Sequence, residues 1–263
     1  MSDQNELKTA IVTGAGGDIG RAICLELAND GYAVLALDIL KEPNDETMRL
    51  VHEAGGKGEA LICDILDAND RAKMAEAGRK LGGISLLVNN VGMVTDESLH
   101  KASVENFEKD LKINQLGAFA CFKAVEQDLI ANKGVLTNIA SVNGLGVYGH
   151  PGYSAAKASL IHFTRLVAVE YGKYGIRANA IAPGTVRTQA WDERAKKNPQ
   201  VFEDAKRWYP LQRVADPVDI AKVVSFISSP AAAAISGACL PVDCGLTAGQ
   251  AELAGTFAQS EDY

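Results

Sequence analysis

The chain has 263 residues, 47% hydrophobic and 22% charged, with a formal net charge of −7. That is ordinary globular usage, with enough apolar material for the core of one large domain. Basic residues are scattered, which argues against a nucleic-acid surface, and no apolar run approaches the ~18 residues of a membrane span.

In chain order, one theme repeats: a short apolar run, a turn, then a helical pattern. TAIVTG (9–14) is the first strand and ends in glycine; residues 18–31 follow at helical spacing, with Gly31 as a helix stop. YAVLALD (32–38) is the second strand, 44–54 is helical, EALICDI (59–65) is the third strand, and 67–81 is a further helix. ISLLVNN (84–90) is the fourth strand. An amphipathic stretch over 103–130 then carries Phe107, Leu111, Ala118, Phe122, Val125 and Leu129 on one face. GVLTNIAS (134–141), a helix over 152–171 after the helix-incompatible pair His150–Pro151, and IRANAIAPG (176–184) continue the rhythm. Residues 189–212 break it with aromatic and charged residues. Helix 217–229 and strand ACLPVDCG (238–245) complete the series, and a tail runs over 246–263.

Strands that alternate with helices predict parallel pairing with right-handed crossovers. Their nearly continuous apolar character predicts a sheet covered on both faces. The expected fold class is α/β: a single doubly wound Rossmann-type domain spanning 1–263, with a mostly parallel seven-stranded sheet and helices on both faces. The N-terminal MSDQNELK is polar with no apolar signal core, so the expected location is cytoplasmic. Five cysteines without a CxxC pair read as reduced, mostly buried thiols. Four dispersed histidines have no ligand spacing, so no metal site is expected.

TGAGGDIG (13–20) sits between the first strand and the first helix, the context in which glycines let the backbone approach a pyrophosphate at a helix N-terminus. Gly14, Gly17, Asp18 and Ile19 are the candidate contacts. Asp38 ends the second strand, where a carboxylate accepts hydrogen bonds from the adenosine ribose hydroxyls and repels a 2′-phosphate. Gly17 and Ile39 stand where an NADP site supplies a basic residue, so the expected cofactor is NAD. The alternative is that Asp38 only caps its loop.

GYSAAKAS (152–159) places Tyr153 and Lys157 four apart, on one helix face. A phenol of pKa ~10 needs a drop of about three units, or about 4 kcal/mol, to work near neutrality. One ammonium at ~4 Å supplies about that much at an effective dielectric of 20. Tyr153 then serves as base in oxidation and as acid in reduction.

Taken with NNVG (89–92), Asn114, Ser141 and the PG pair at 183–184, these motifs make the chain resemble, over essentially its full length, the classical short-chain dehydrogenase/reductase (SDR) family. The resemblance implies that Ser141 holds the substrate oxygen. It also implies that Lys157 and Tyr153 bind the nicotinamide ribose, and that Asn114 holds a water in a proton relay. Asp64 and Ile65 resemble the adenine contacts, Asn90 and Gly92 the contacts after the fourth strand, and Pro183, Gly184, Val186 and Thr188 the nicotinamide loop. A homotetramer assembled through the helices of 103–130 and 152–171 is also implied. One departure is Asp18, where the family carries glycine: it is a good N-cap residue and places negative charge near the pyrophosphate unless its carboxylate turns to the helix N–H groups, and dinucleotide binding is expected to survive it.

Residues 189–212 fall where the family builds its substrate lid, and carry Trp191, Phe202, Trp208 and Tyr209 with Arg194, Lys196, Lys197 and Arg207. Ser141, Asn143, His150, Tyr153, Gln189 and Trp191 are the candidate substrate contacts. A polar lining predicts a small polar substrate: a sugar, sugar acid or polyol. The alternatives are a 3-oxoacyl reductase, against which Asp38 argues, and an NAD-sensing binding protein, against which the retained Ser141, Tyr153, Lys157 and Asn114 argue. The tail over 246–263 is longer than the last strand needs and is a candidate cover for a neighbouring subunit's site.

Overall fold

Seven parallel strands form one sheet in the computed structural model, which describes residues 7–191 and 196–263. The strands are β1 (Lys8–Thr13), β2 (Ala33–Asp38), β3 (Lys57–Ile62), β4 (Gly83–Asn89), β5 (Val135–Ile139), β6 (Arg177–Pro183) and β7 (Cys239–Val242). Their spatial order is β3-β2-β1-β4-β5-β6-β7, every pair parallel. The chain leaves in one direction through β2 and β3 and returns to build β4 beside β1. The order therefore reverses between β1 and β4, and a crevice opens at the carboxyl ends of those strands.

The helices are α1 (Asp18–Asn29), α2 (Lys41–Glu53), α3 (Ala68–Leu81), α4 (Val104–Leu111), α5 (Gly117–Ala131), α6 (Pro151–Tyr171), α7 (Val201–Ala205), α8 (Pro217–Ser228) and α9 (Ala251–Ala258). On one face of the sheet Ile23 and Leu27 of α1 and Ile220 and Val224 of α8 pack on Val12, Val34 and Ile181. On the other face Met74, Phe122, Leu129 and Leu160 pack on Ile11, Leu35, Leu87 and Leu136. Because both faces are buried in this way, the strands carry apolar residues at consecutive positions and not at alternate ones. Cys24, Cys63, Cys121 and Cys244 are buried free thiols, and Cys239 is half-buried. Among the described residues no helix is long and apolar enough to cross a membrane.

Three elements differ from expectation. The stretch 103–130 is not one helix: a π-turn over Lys112–Leu116 separates α4 from α5. There Asn114 Nδ2 donates to the Asp110 carbonyl at 2.9 Å, so a side chain replaces a backbone donor on that oxygen. Strand β7 stops at Val242 because Asp243 turns the chain, accepting from Gly245 N and from both Thr247 N and Thr247 Oγ1. That turn brings residues 246–252 back over the crevice of their own chain, and α9 follows. Of the lid expected over 189–212, residues 192–195, including Arg194, lie outside the described residues, as do residues 1–6.

Candidate active site

The crevice is a cleft of about 1560 Å³. Its floor is the turn after β1. Gly14 has φ +66°, and a methyl group on Gly20 would stand 2.2 Å from the Gly14 carbonyl oxygen, so only glycine allows α1 to start this close to β1. Asn90, just past β4, fixes the turn by donating from Nδ2 to the Thr13 and Gly14 carbonyls at 3.0 and 3.1 Å. Gly17 is the N-cap of α1 and offers no side-chain acceptor, so N–H groups of the first turn face the cleft with the positive end of the helix behind them.

Asp18 does not cap α1. It is the first helical residue, and its Oδ2 accepts from Gln189 N at 2.6 Å, across the cleft, on the segment after β6. A carboxylate at the first helical position points away from the helix's own N–H groups, whereas an N-cap side chain reaches back to them. Asp38, at the end of β2, accepts from Gly16 N through Oδ2 at 2.9 Å and from Leu40 N through Oδ1 at 3.0 Å. It therefore does cap its loop, and each oxygen retains a lone pair on the cleft side. No basic side chain follows it: Ile39 is 66% exposed, and Lys41 pairs with Asp45. Arg21 Nη2 donates to the Gly16 and Pro43 carbonyls and its Nε to Thr47. Asp64 and Ile65, beyond β3, form the adjoining wall with Gly92 and Ile19.

Ser141, Tyr153 and Lys157 converge at the other end of the cleft, Ser141 two residues past β5 and the other two on α6. The Ser141 hydroxyl donates to Asn143 Oδ1 at 3.3 Å and accepts from Asn143 N at 3.2 Å, and it lies close enough to the Tyr153 phenol to favour its ionised form. The Lys157 ammonium nitrogen lies 5.4 Å from the Tyr153 ring centroid and donates to the Ile139 carbonyl at 2.8 Å. Asn114 is fully buried, with Oδ1 accepting from Met93 N at 3.0 Å. A methyl group on Gly92 would stand 3.6 Å from Asn114 Oδ1 and 3.7 Å from Lys157 Nζ, so the absence of a side chain there keeps the two groups open to one another.

The electrostatics correct the simple ion-pair expectation. Burial pushes the Tyr153 phenol above its ordinary value, only partly countered by the Ser141 hydroxyl, and a nearby Asp110 charge raises it further. Burial also pushes Lys157 down to about 7. Desolvation disfavours both charges at once, so in this state the ammonium does not outweigh it. Lowering the phenol requires further partners for Lys157 Nζ on the cleft side.

The family model for Enoyl-(Acyl carrier protein) reductase matches residues 14–247. A solved oxidoreductase of the short-chain dehydrogenase/reductase family from Burkholderia thailandensis superposes with a TM-score of 0.91 at 38% identity, covering 99% of this chain and 100% of the other. The chain belongs to the SDR family. It is an oxidoreductase of that family, and its relatives include dehydrogenases. A 2,5-dichloro-2,5-cyclohexadiene-1,4-diol dehydrogenase of Sphingobium indicum is 37% identical over 94% of this chain and 100% of its own length. A 7α-hydroxysteroid dehydrogenase solved with NADH and 7-oxo glycochenodeoxycholic acid has a TM-score of 0.85 at 30% identity, covering 90% of this chain and 93% of its own. An actinorhodin polyketide ketoreductase solved with NADPH has a TM-score of 0.87 at 27% identity, covering 94% of this chain and 99% of its own. SDR neighbours thus bind nicotinamide cofactors of both kinds.

On the substrate side of this SDR, the expected polar lining is largely engaged within the protein. Asn143 Nδ2 donates to the Gly149 carbonyl and to Ser154 Oγ, and its Oδ1 accepts from Ser141 Oγ. His150 Nδ1 faces the Asp96 carbonyl at 3.0 Å. The cleft is also lined by the apolar Met93, Val94, Val147, Tyr148, Trp191 and Leu246 and by the polar side chains Gln189, Arg207, Gln250 and Glu252. Trp191 packs against Phe202 with ring centroids 5.7 Å apart. The loop Pro183–Thr188 runs along the cleft, its Val186 buried and bridged to Ala215. Tyr209, which the sequence presented only as an aromatic of the lid, anchors that loop. Its hydroxyl donates to Thr185 Oγ1 at 2.8 Å and accepts from Thr185 N at 3.2 Å. Nothing in the sequence pairs residues 185 and 209. Leu246 and residues 249–252 were also not foreseen as lining of their own chain's cleft.

Proposed function

We propose that this SDR is an NAD-dependent dehydrogenase that interconverts a secondary alcohol and a ketone. The observation that carries the reading is the convergence of Ser141, Tyr153 and Lys157 in one cleft with the glycine turn and Asp38. The floor suits a dinucleotide: Gly14 and Gly20 let the turn and α1 pack tightly, Gly17 leaves its side of the turn open to the cleft, and the first turn of α1 offers N–H groups to a pyrophosphate. The free lone pairs of Asp38 suit a ribose diol. NAD, when bound, supplies the hydride acceptor. Ser141 Oγ orients the substrate oxygen, Tyr153 Oη takes the hydroxyl proton in oxidation and returns it in reduction, and Lys157 Nζ favours the phenolate. Asn114, buried beside Lys157 across Gly92, holds the relay position.

The apolar lining favours a compact, ring-bearing secondary alcohol whose polar groups reach Gln189, Arg207 and Gln250. Those polar side chains are also the observation that supports a second reading, a sugar, sugar acid or polyol. Initial rates with NAD over cyclohexanols, sugar acids, polyols and 3-hydroxyacyl thioesters test the choice. Cyclohexanols are expected to exceed sugar acids in kcat/KM by roughly tenfold or more, as apolar contacts discriminate; the reverse order would favour the sugar reading. The homotetramer that the family implies would cover Leu116, Phe119, Leu166 and Val169, apolar side chains that α5, α6 and the turn between α4 and α5 leave exposed.

Asp18 supplies a further expected result. Its bond to Gln189 N clasps the segment after β6 to the start of α1 over the dinucleotide site. Asp18→Ala is expected to raise the NADH Kd about tenfold, the loss of one charge-assisted bond. Asp18→Asn keeps an acceptor and is expected to stay within about threefold. Fluorescence titration with NADH distinguishes the clasp from a simple charge effect: equal changes in both variants would exclude the clasp.

A further inference from the structure

A buried carboxylate that the reading above leaves without a role packs against the start of α6, one residue before Tyr153. Asp110, on α4, is 1% exposed. Its Oδ2 accepts from Thr95 Oγ1 at 2.9 Å, while Oδ1 is buried with no hydrogen-bond partner and no cation pairs with it among the described residues. Burying a carboxylate without pairing is costly, so such a group is retained where its charge has a use. Helix α4 packs on α6, and the contact is close: a methyl group on Gly152, one residue before Tyr153, would stand 2.8 Å from Asp110 Oδ2. The partial positive charge at the N-terminus of α6 makes the site tolerable for an anion. That N-terminus has no side-chain cap of its own, because His150 is in the left-handed region at φ 55° and Pro151 has no N–H.

We propose that Asp110 is a buried electrostatic partner of Tyr153 that sets the pH at which the phenol exchanges its proton. It touches no reacting atom and acts only through Tyr153. Lys157 favours the phenolate from one side, and Asp110 favours the protonated phenol from the other. The remaining titratable groups around Tyr153 are Tyr148 and His150 on the segment before α6, and Asp96 on the segment after β4. His150 Nδ1 is held by the Asp96 carbonyl, and the Asp96 carboxylate is engaged by Ser103 N and Asn106 Nδ2. The β5 side brings only Ser141 and Asn143, which do not titrate. Asp110 is thus the one buried carboxylate packed against the start of α6 among the described residues, and the balance between it and Lys157 sets the pH range over which Tyr153 exchanges its proton.

This inference rests on Tyr153 as the acid/base group, and two readouts keep its failure separate from a failure of that reading. The first is the pH profile of kcat/KM for cyclohexanol oxidation by NAD in wild type, Asp110→Asn and Asp110→Ser; both variants are neutral, so either suffices if the other does not fold. The second needs no turnover: the near-ultraviolet tyrosinate titration of each protein minus that of its Tyr153→Phe version, with NADH bound. Removing the anion stabilises the phenolate. The midpoint is therefore expected to move to lower pH by about half a unit to one unit, raising kcat/KM on the rising limb about three- to tenfold. A group that only caps α6 would lower thermal stability and leave both midpoints in place, and coincident midpoints in wild type and the neutral variants would overturn the proposal. Loss of the Tyr153→Phe difference signal itself would instead count against Tyr153 as the titrating group.

Discussion

Replacing Tyr153 by phenylalanine is expected to lower kcat for alcohol oxidation by about 10²–10⁴-fold, the usual contribution of a positioned acid/base group. NADH binding should stay within about threefold, since the phenol is only one of the contacts implied for the nicotinamide ribose and the glycine turn, Asp38 and Lys157 are untouched. The two halves of that result come from different atoms. The ring of Tyr153 is half-buried and supports the Lys157 side chain, whose Nζ lies 5.4 Å from its centroid and donates to the Ile139 carbonyl. Phenylalanine keeps the ring and so keeps Lys157 in place. Only the hydroxyl is lost, the group proposed to take the substrate proton beside Ser141. A protein that merely senses NAD would show the same binding and no difference in turnover, so the paired measurement of kcat and NADH Kd separates an enzyme from a binding module. The dependence on Lys157 has a definite sign. Its amine titrates near 7 in the absence of cleft-side partners, carries charge below that pH and loses it above. Assistance to the phenolate thus weakens with rising pH unless partners for Nζ hold the proton on.

The parts of this site that were legible in the sequence are those encoded locally. Strand runs such as AVLALD show themselves because a sheet covered on both faces is built mostly of consecutive apolar residues. The glycine turn is visible because its demands are local: Gly14 takes a positive φ, and Gly20 answers to the backbone of Gly14 and Ala15. Tyr153 and Lys157 are visible because four residues of helix fix their relation. What stayed hidden depends on distant chain or on burial. Asp18 meets Gln189 171 residues away, and no periodicity encodes that. The π-turn at Asn114 adds a residue without disturbing the apolar pattern enough to be read. The return of residues 246–252 to their own cleft follows from the Asp243 turn, whose partners lie within four residues but whose direction depends on where β7 ends. The ion-pair argument for Tyr153 omitted one opposing effect for a related reason: Coulomb attraction can be drawn from spacing, whereas the desolvation that opposes it requires knowing that Lys157 is 2% exposed.

Cofactor choice gives the other large expected effect. The double variant Asp38→Ser, Ile39→Arg is expected to shift the ratio of kcat/KM for NAD over NADP by roughly 10²–10³-fold toward NADP. A carboxylate that accepts from ribose hydroxyls contributes about 1.5–3 kcal/mol, and a factor of ten is about 1.4 kcal/mol. The serine removes both the acceptor and the charge that repels a 2′-phosphate. The arginine then supplies a planar donor set at a position that is 66% exposed and lines the same cleft as Glu46 and Asp64. The variant has a structural cost that the measurement must separate. Asp38 also ties Gly16 N and Leu40 N, so the serine loosens the glycine turn for either cofactor. Activity with NAD should therefore fall further than activity with NADP rises, and the ratio, not either rate alone, reports the choice. Asp38→Asn isolates the charge, since it keeps an acceptor for one backbone N–H and should move the ratio by a smaller factor in the same direction. A wild-type preference for NADPH, or a double variant whose ratio is unchanged, would mean that the carboxylate at the end of β2 serves the loop alone and that discrimination lies elsewhere in the cleft.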